Sequence, residues 1–476
     1  MATTAVPTSA PTRPAAGLGW VSLLVLLAGT FVTTLDFFIV NVAIPSLSED
    51  LAAGPTAIQF TVAGYGLALA AGLITGGRLG DLYGRRRLLM VGLAAFTAAS
   101  LVCGLAPSVG VLIAARVAQG VAAALLMPQV LAILNAEFTG VRRSRAFGAY
   151  GLAIGLGAVF GQLIGGVLIH LDLAGAGWRS IFLINVPVGL AAVLLAPRLL
   201  RESRSPVAAR PDLVGTALVT VGLVAVVLPL VEGRSLGWPS WLFGCLAAAV
   251  PLLVGFVGHQ RRRAAGGRAP LVTPSLFAAR SYSVGVALAF VFQLTMASFF
   301  LVLALYLQEG RGLGALGAGL IFVPLGLGYF VATMLSGRVA ARLGRYTITL
   351  GASVVAVGYG MLAETATGWS HAGVAALVPA LVVAGAGMGF AIPPLPAIAL
   401  STVARADVAA GSGVLTAAQQ AGGAVGVALV GVVFYRILGA QPTADSFPPA
   451  FAIALTLLAV VDVVVALGTL LLPRRS

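Results

Sequence analysis

The chain has 476 residues, 59% of them hydrophobic and 9% charged, with a mean hydropathy of +1.05. That balance excludes a water-soluble domain, whose surface needs many more polar side chains. The net charge of +14 does not point to nucleic acid, because the 28 basic residues are all arginines and recur in every second loop instead of on one domain face.

Residues 1–17 are rich in Ala, Thr and Pro, with Arg13 as the one charge, and read as a disordered cytoplasmic tail. They lack the basic start and small-residue cleavage site of a signal peptide. The first apolar run, about 18–40, exceeds the ~20 residues that cross a bilayer as a helix. Asp36 lies late in it. Glu49 and Asp50 precede a second span at 56–76. The polar stretch GRLGDLYGRRR follows at 77–87. Here Gly77, Gly80 and Gly84 permit a tight reversal. Asp81 offers a carboxylate to helix N-termini or to arginines, and Arg85, Arg86 and Arg87 form a positive stop.

Spans near 88–106 and 109–135 are joined by the uncharged Pro107-Ser108. The second of them carries Arg116, the one arginine inside an apolar run. Arg142, Arg143 and Arg145 mark the next inner loop. The fifth span, 146–168, contains Gly148, Gly151, Gly155, Gly157, Gly161, Gly165 and Gly166, several at spacings of four that bring helix backbones together on one face. A loop with Asp172 and Trp178-Arg179 leads to the sixth span, which ends near 196. A charged linker, 198–212, then precedes an extra pair of spans at 213–231 and 241–257. After the basic linker 261–280 come six more, near 282–307, 317–337, 346–363, 373–400, 409–435 and 451–472.

The count is fourteen. Arginines crowd the inner loops, and the outer loops hold Arg179, Arg234, Arg311 and Arg436. The positive-inside rule then places both termini in the cytoplasm. Arg405, Arg474 and Arg475 fall on the inner side in this scheme. The stretch 337–345, GRVAARLGR, echoes 77–87, with Gly337 and Gly344 spaced as Gly77 and Gly84 are and with Ala341 where Asp81 stood. Two related six-span halves follow from that repeat. The boundaries expected are 1–17 for the tail, 18–200 for the first half, 201–280 for the linker with its extra pair, and 281–476 for the second half.

An acid or a guanidinium in hydrocarbon costs several kcal/mol unless it is paired or hydrated, so Asp36 and Arg116 are the leading functional candidates. Arginine stays charged. Beside a protonatable acid it favours the carboxylate, while desolvation favours the acid, so a change in their distance or hydration swings proton affinity. Asp462, mid-span in the last run, reads equally as a second protonation site or as the partner of a polar neighbour. Gln293, Gln419 and Gln420 are uncharged groups suited to a cavity or to helix–helix hydrogen bonds. Cys103 and Cys245 read as small buried hydrophobes. His170, His259 and His371 are too scattered for a metal cluster. The G-x-G-x-x-G at 312–317 has no strand before it and is no dinucleotide site. No lysine is present, so no P-loop exists and ATP is not the energy source.

Several of these stretches resemble one family. G-x-L-x-D-x-x-G-R-R at 77–86 resembles the loop signature of the major facilitator superfamily. LDFFIVNVAIPSL at 35–47, with Asp36, Asn41 and Pro45, resembles the first-helix signature of its fourteen-helix drug:proton antiporters. LIAARVAQGVAAA at 112–124 matches their fourth-helix signature at Arg116, Gln119 and Gly120. GAVFGQLIGG at 157–166 is similar to their glycine-rich signature at Gly157, Gly161, Gly165 and Gly166 but has Gln162 where the family has proline. Segments at 306–324 and 413–429 are similar to later family segments, and Trp178, Arg179, Phe182, Asn185 and Pro187 extend the likeness.

The resemblance implies an all-α polytopic membrane protein of the major facilitator fold, two six-helix halves with two extra helices between them. It implies a proton-coupled exporter of amphipathic small molecules, not an enzyme, in which Asp36 and Arg116 couple protons. Phe37, Asn41, Gln119, Gln293 and Gln420 are the expected cavity residues, and Gly77, Asp81, Gly84, Arg85 and Arg86 the conformational loop. No cofactor is expected beyond the proton gradient. The expected partners are substrate, protons and the cell-membrane bilayer around a monomer, without nucleic acid. A transporter-like sensor or scaffold without flux, or an importer of a nutrient, are the alternative readings.

Overall fold

The computed structural model describes residues 20–138, 140–204, 211–233, 235–368, 373–403, 408–439 and 441–472, without the side chains at 135, 140, 141, 143, 144, 147, 148, 159 and 408–410. The tail 1–17, Arg210, Arg234, His371, Arg405, Arg474 and Arg475 lie outside the described residues, as do the side chains of Arg143 and Gly148.

Among the described residues, thirteen helices are long and apolar enough to cross a membrane, and a bent fourteenth completes the set. A bilayer leaves backbone groups no water to bond with, so each span satisfies its own as a helix. The first half comprises α1 (Trp20–Asp50), α2 (Pro55–Tyr83), α3 (Arg85–Gly104), α4 (Val109–Glu137), α5 (Gly140–Leu171), and the consecutive α6 (Ser180–Leu183) and α7 (Asn185–Leu199), which make one span. Pro55 starts α2, and the Ser108 hydroxyl accepts from Val111 N to cap α4. The extra pair is α8 (Leu213–Glu232) and α9 (Ser240–Ala265). The second half has α10 (Arg280–Leu305), α11 (Ala315–Leu343), α12 (Tyr346–Gly368), α13 (Val378–Ala391) with the short α14 (Pro394–Ala399), α15 (Val408–Leu438) and α16 (Phe447–Gly468).

The first helix runs ten residues further than 40, to Asp50, so Asp36 lies mid-helix and not near its end. The Asp50 carboxylate accepts from Trp178 Nε1 at 3.0 Å and Arg179 Nη1 at 2.7 Å, tying α1 to the loop before α6. Along the seam between the halves, α2 packs on α15 and α5 on α11.

Gly77 and Gly80 do not form the reversal expected of them. They lie inside α2, where they face Pro128 and Gln129 of α4, and Gly84 alone, at φ +111°, breaks the chain between α2 and α3. Asp81 pairs with Arg85 one turn on, at 3.0 Å. The anion at the start of α3 is Glu202, which accepts from Arg86 N at 3.1 Å and Arg87 N at 3.3 Å. In the second half Gly344 again breaks the chain with positive φ, and Arg345 donates to the carbonyls of Leu470 and Leu472 beyond the end of α16. The repeated loop is therefore an anchor to the last span of each half, made with an acid in one copy and an arginine in the other.

The extra pair is locked on itself. Asp212 caps α8 through Gly215 N at 3.0 Å and accepts from His259 Nε2 at 2.9 Å and Gln260 Nε2 at 2.9 Å, with Arg263 at 3.5 Å. Burial pushes the Asp212 carboxyl up, but these donors and the arginine outweigh it and hold it below the usual carboxylate range. The pair touches α2 through Thr75–Thr216 at 2.7 Å, and Arg78 reaches the Pro270 carbonyl of the following linker at 3.2 Å.

Candidate functional site

Asp36 and Arg116 meet. Each side chain is fully buried, and Arg116 Nη1 donates to Asp36 Oδ2. Arg116 and Gln119 stand three residues apart on one face of α4, which lets both reach the same carboxylate. Gln119 Nε2 donates to Asp36 Oδ1 at 3.1 Å, while its Oε1 accepts from Arg116 Nη1 at 3.0 Å. Asn185, at the start of α7, donates from Nδ2 to Asp36 Oδ1 at 2.8 Å. Arg116 Nε donates to the Thr61 carbonyl of α2 at 3.1 Å, and its guanidinium lies 4.4 Å from the Tyr65 ring centroid. The Tyr65 hydroxyl in turn donates to the Thr33 carbonyl of α1 at 3.1 Å. From α3, the Ser100 hydroxyl accepts from Gln119 at 2.7 Å, and the Cys103 thiol donates to Gln119 Oε1 at 3.2 Å.

One carboxylate thus joins α1, α2, α3, α4 and α7. A bare carboxylate out of water costs several kcal/mol, and a cation with two amide donors is the arrangement that offsets this. Arg116 Nη2 and Asn185 Oδ1 remain without hydrogen-bond partners in this state. They are capacity for a rearranged set of bonds when the helices shift.

Gln119 therefore does not line a substrate cavity as expected; the requirement to pair Asp36 and Arg116 draws it into the first-half core. Asn185 was marked only by family likeness, and nothing in the spacing of a lone Asn predicts this contact. Cys103 is more than an apolar filler, since its sulfur touches the network.

Phe37, next to Asp36 on α1, turns to the seam, with its ring centroid 5.8 Å from that of Tyr65 at the edge of the network. Its ring fits against Gly66 of α2 and Gly423 of α15, where a Cβ would come within 3.2 Å and 3.7 Å of it. Gln293 packs against Gly423, and the backbone carbonyl of Gln420 lies against Gly66, so the Phe37 and Gln293 side chains and the main chain at Gln420 share this place between the halves. Phe38 reaches Phe300 of α10 with ring centroids 4.8 Å apart. Asn41 lies one turn beyond Phe37; it is buried, and its Oδ1 has no partner. Ile44 and Ser48 continue that face into a cleft of about 230 Å³ at the Asp50 end, closed on the other side by Glu309, Tyr435 and Leu438. Of the aromatic residues in these spans, Phe160 is exposed, whereas Tyr65, Phe292 and Phe299 are buried.

The glycines of α5 serve two neighbours instead of one face. Gly157, Gly161 and Gly165 lie against α1, and Gly155 and Gly166 against α11. A methyl on Gly166 would stand 2.5 Å from the Ala315 carbonyl oxygen. Gln162 donates to the Phe38 carbonyl at 2.8 Å, so the residue that departs from the family pattern ties α5 to α1, close to where α5 bends by 46°. Among the described residues no group of three His, Cys, Asp or Glu is placed to hold a metal.

The family model described as Major Facilitator Superfamily matches residues 26–427, and again residues 285–476. The chain is 43% identical over 434 residues to a protein of Streptomyces coelicolor named a probable actinorhodin transporter, covering 90% of this chain and 74% of that one. It is 37% identical over 419 residues to the puromycin resistance protein pur8 of Streptomyces alboniger, covering 87% and 81%. Among solved structures, a POT family transporter in complex with a thioalcohol-conjugated peptide superposes with a TM-score of 0.68 at 16% identity, covering 94% of each chain. That last likeness concerns the fold.

Proposed function

The chain belongs to the major facilitator superfamily, and from that membership we propose that it exports amphipathic small molecules, antibiotics among them, in exchange for protons. The named roles of its relatives, antibiotic transport and antibiotic resistance, support export over import and over a sensor without flux. The observation that carries the proton coupling is the sealed Asp36 carboxylate, whose charge depends on Arg116, Gln119 and Asn185.

With the seam open to the outside, Asp36 takes a proton, Arg116 is released to other acceptors, and substrate leaves. With the seam open to the inside, the proton leaves, the ion pair re-forms, and substrate binds. Phe37, Gln293 and Gln420 hold the apolar and polar parts of the substrate between the halves. The loop at Gly84, with Asp81, Arg85 and Arg86, sits on the cytoplasmic side with both termini, and the protein works as a monomer in the cell membrane. A potential of 100 mV supplies ~2.3 kcal/mol per charge moved, enough for roughly a fifty-fold gradient.

Purified protein is expected to release protons when a transported antibiotic is added, and Asp36→Asn is expected to remove both that release and proton-driven export while inserting normally. Wild-type export with no proton release would sink the reading.

A further inference from the structure

The second half holds another buried carboxyl that the exchange scheme leaves unused. Asp462, on α16, is fully buried. Its Oδ1 accepts from the Thr295 hydroxyl of α10 at 3.0 Å. Its Oδ2 has no hydrogen-bond partner, and neither has the buried hydroxyl of Tyr359 on α12, the helix that packs along α16. The Tyr359 ring stacks on Phe299 of α10 at 4.7 Å. Among the described residues, no arginine or histidine is in hydrogen-bond or ion-pair contact with Asp462. The charged groups on the elements packed around it stand toward their ends: Arg280 on α10, Glu309 in the turn that continues α10, Glu364 on α12, Arg436 on α15, Asp445 in the turn before α16, and Arg345, which binds carbonyls beyond the end of α16.

No cation is placed to compensate a carboxylate here, whereas a carboxylic acid needs only one acceptor for its proton, and the unpartnered phenol oxygen of Tyr359 belongs to a helix packed on α16. The place is not arbitrary. Gly344 follows Gly84 by 260 residues, and the same step takes Asp36 to Met296, beside Thr295, and Ser100 to Gly360, beside Tyr359. The first and third spans of each half thus carry polar residues at corresponding positions. Helix α10 also lines the seam through Gln293 and Phe300, so Thr295 stands on a helix that faces the other half.

We propose that Asp462 is a second proton-binding site, loaded from and emptied into water as the second half moves, so that each cycle carries two protons per substrate. The proposal rests on the antiport reading above. The proton adds to a carboxylate oxygen and returns to water; no electron is transferred.

The test is the charge moved per molecule of an uncharged substrate by protein reconstituted in liposomes. Wild type is expected to move about twice the charge of Asp462→Asn. Equal values in the two overturn the proposal but leave antiport standing. A wild type that moves no protons sinks antiport itself. A second measurement covers an Asp462→Asn that fails to fold. In the Asp36→Asn background, the infrared carbonyl band of a buried protonated carboxyl is expected to shift on Tyr359→Phe and to lose intensity in alkaline buffer. A band that keeps its intensity there marks a fixed structural proton and overturns the proposal.

Discussion

The two halves of the molecule bury one carboxyl each and treat it in opposite ways. Around Asp36 the first half assembles a guanidinium, two amides and an aromatic face. Around Asp462 the second half offers a threonine, a tyrosine of the adjoining α12 and apolar packing, and the 260-residue step that relates the halves takes Arg116 to the small, uncharged Ala376. The difference teaches that repeating a fold does not repeat its electrostatics. The first half holds its carboxyl in an ion pair; the second holds one with no ion pair among the described residues.

The largest effect expected from that contrast is on stability. Removing one partner of a buried pair leaves the other charge stranded, at a cost of about 3–5 kcal/mol. Arg116→Ala is therefore expected to lower the melting temperature in detergent steeply, and adding Asp36→Asn to recover much of the loss. Asp462→Asn, with no ion pair to break, is expected to cost about 1–2 kcal/mol. Comparable losses for Arg116→Ala and Asp462→Asn would erase the distinction.

The next effect concerns the seam, which either half must slide along. Gly166→Val places a branched side chain against the Ala315 backbone, an overpacking cost of about 1–3 kcal/mol. It is expected to abolish transport with the protein still inserted; full transport would mean that α5 and α11 need not stay this close. Smaller still is the anchor that the two halves build differently. Glu202→Gln weakens the anionic cap of α3 and is expected to cost about 1 kcal/mol, read as a small drop in melting temperature, while Ala341→Asp is expected to gain nothing because no Arg follows it at Arg85's register except Arg345, which already holds α16.

The extra pair belongs to neither half and serves as a control with its own pH dependence. The Asp212 carboxyl is depressed in the folded chain, so its stabilisation is complete above the ordinary value of 3.8 and is lost as pH falls through the lower folded value. Hydrogen exchange in α8 is expected to rise in acid across that range.

Much of this was legible in the sequence. Fourteen spans followed from run lengths, and the pairing of Asp36 with Arg116 from the cost of lone charges in lipid. The direction each residue faces was not legible. Asp36 and Phe37 are neighbours that serve different sites, because successive helix positions diverge by about 100°. Gln119 and Asn185 reach the carboxylate through contacts spanning 83 and 149 residues, which no local spacing encodes. Gly77 and Gly80 carried the composition of a turn, yet close packing against α4 claimed them for helix instead.

The Cys103 sulfur, resting on Gln119 with no exposed surface, gives the chain an intrinsic reporter. A maleimide added to a Cys245→Ser background finds this thiol only when α3 and α4 part. Its labelling rate therefore times the parting of those helices directly, without an engineered dye site, and substrate or acid that speeds or slows labelling reveals which steps unlock the first half.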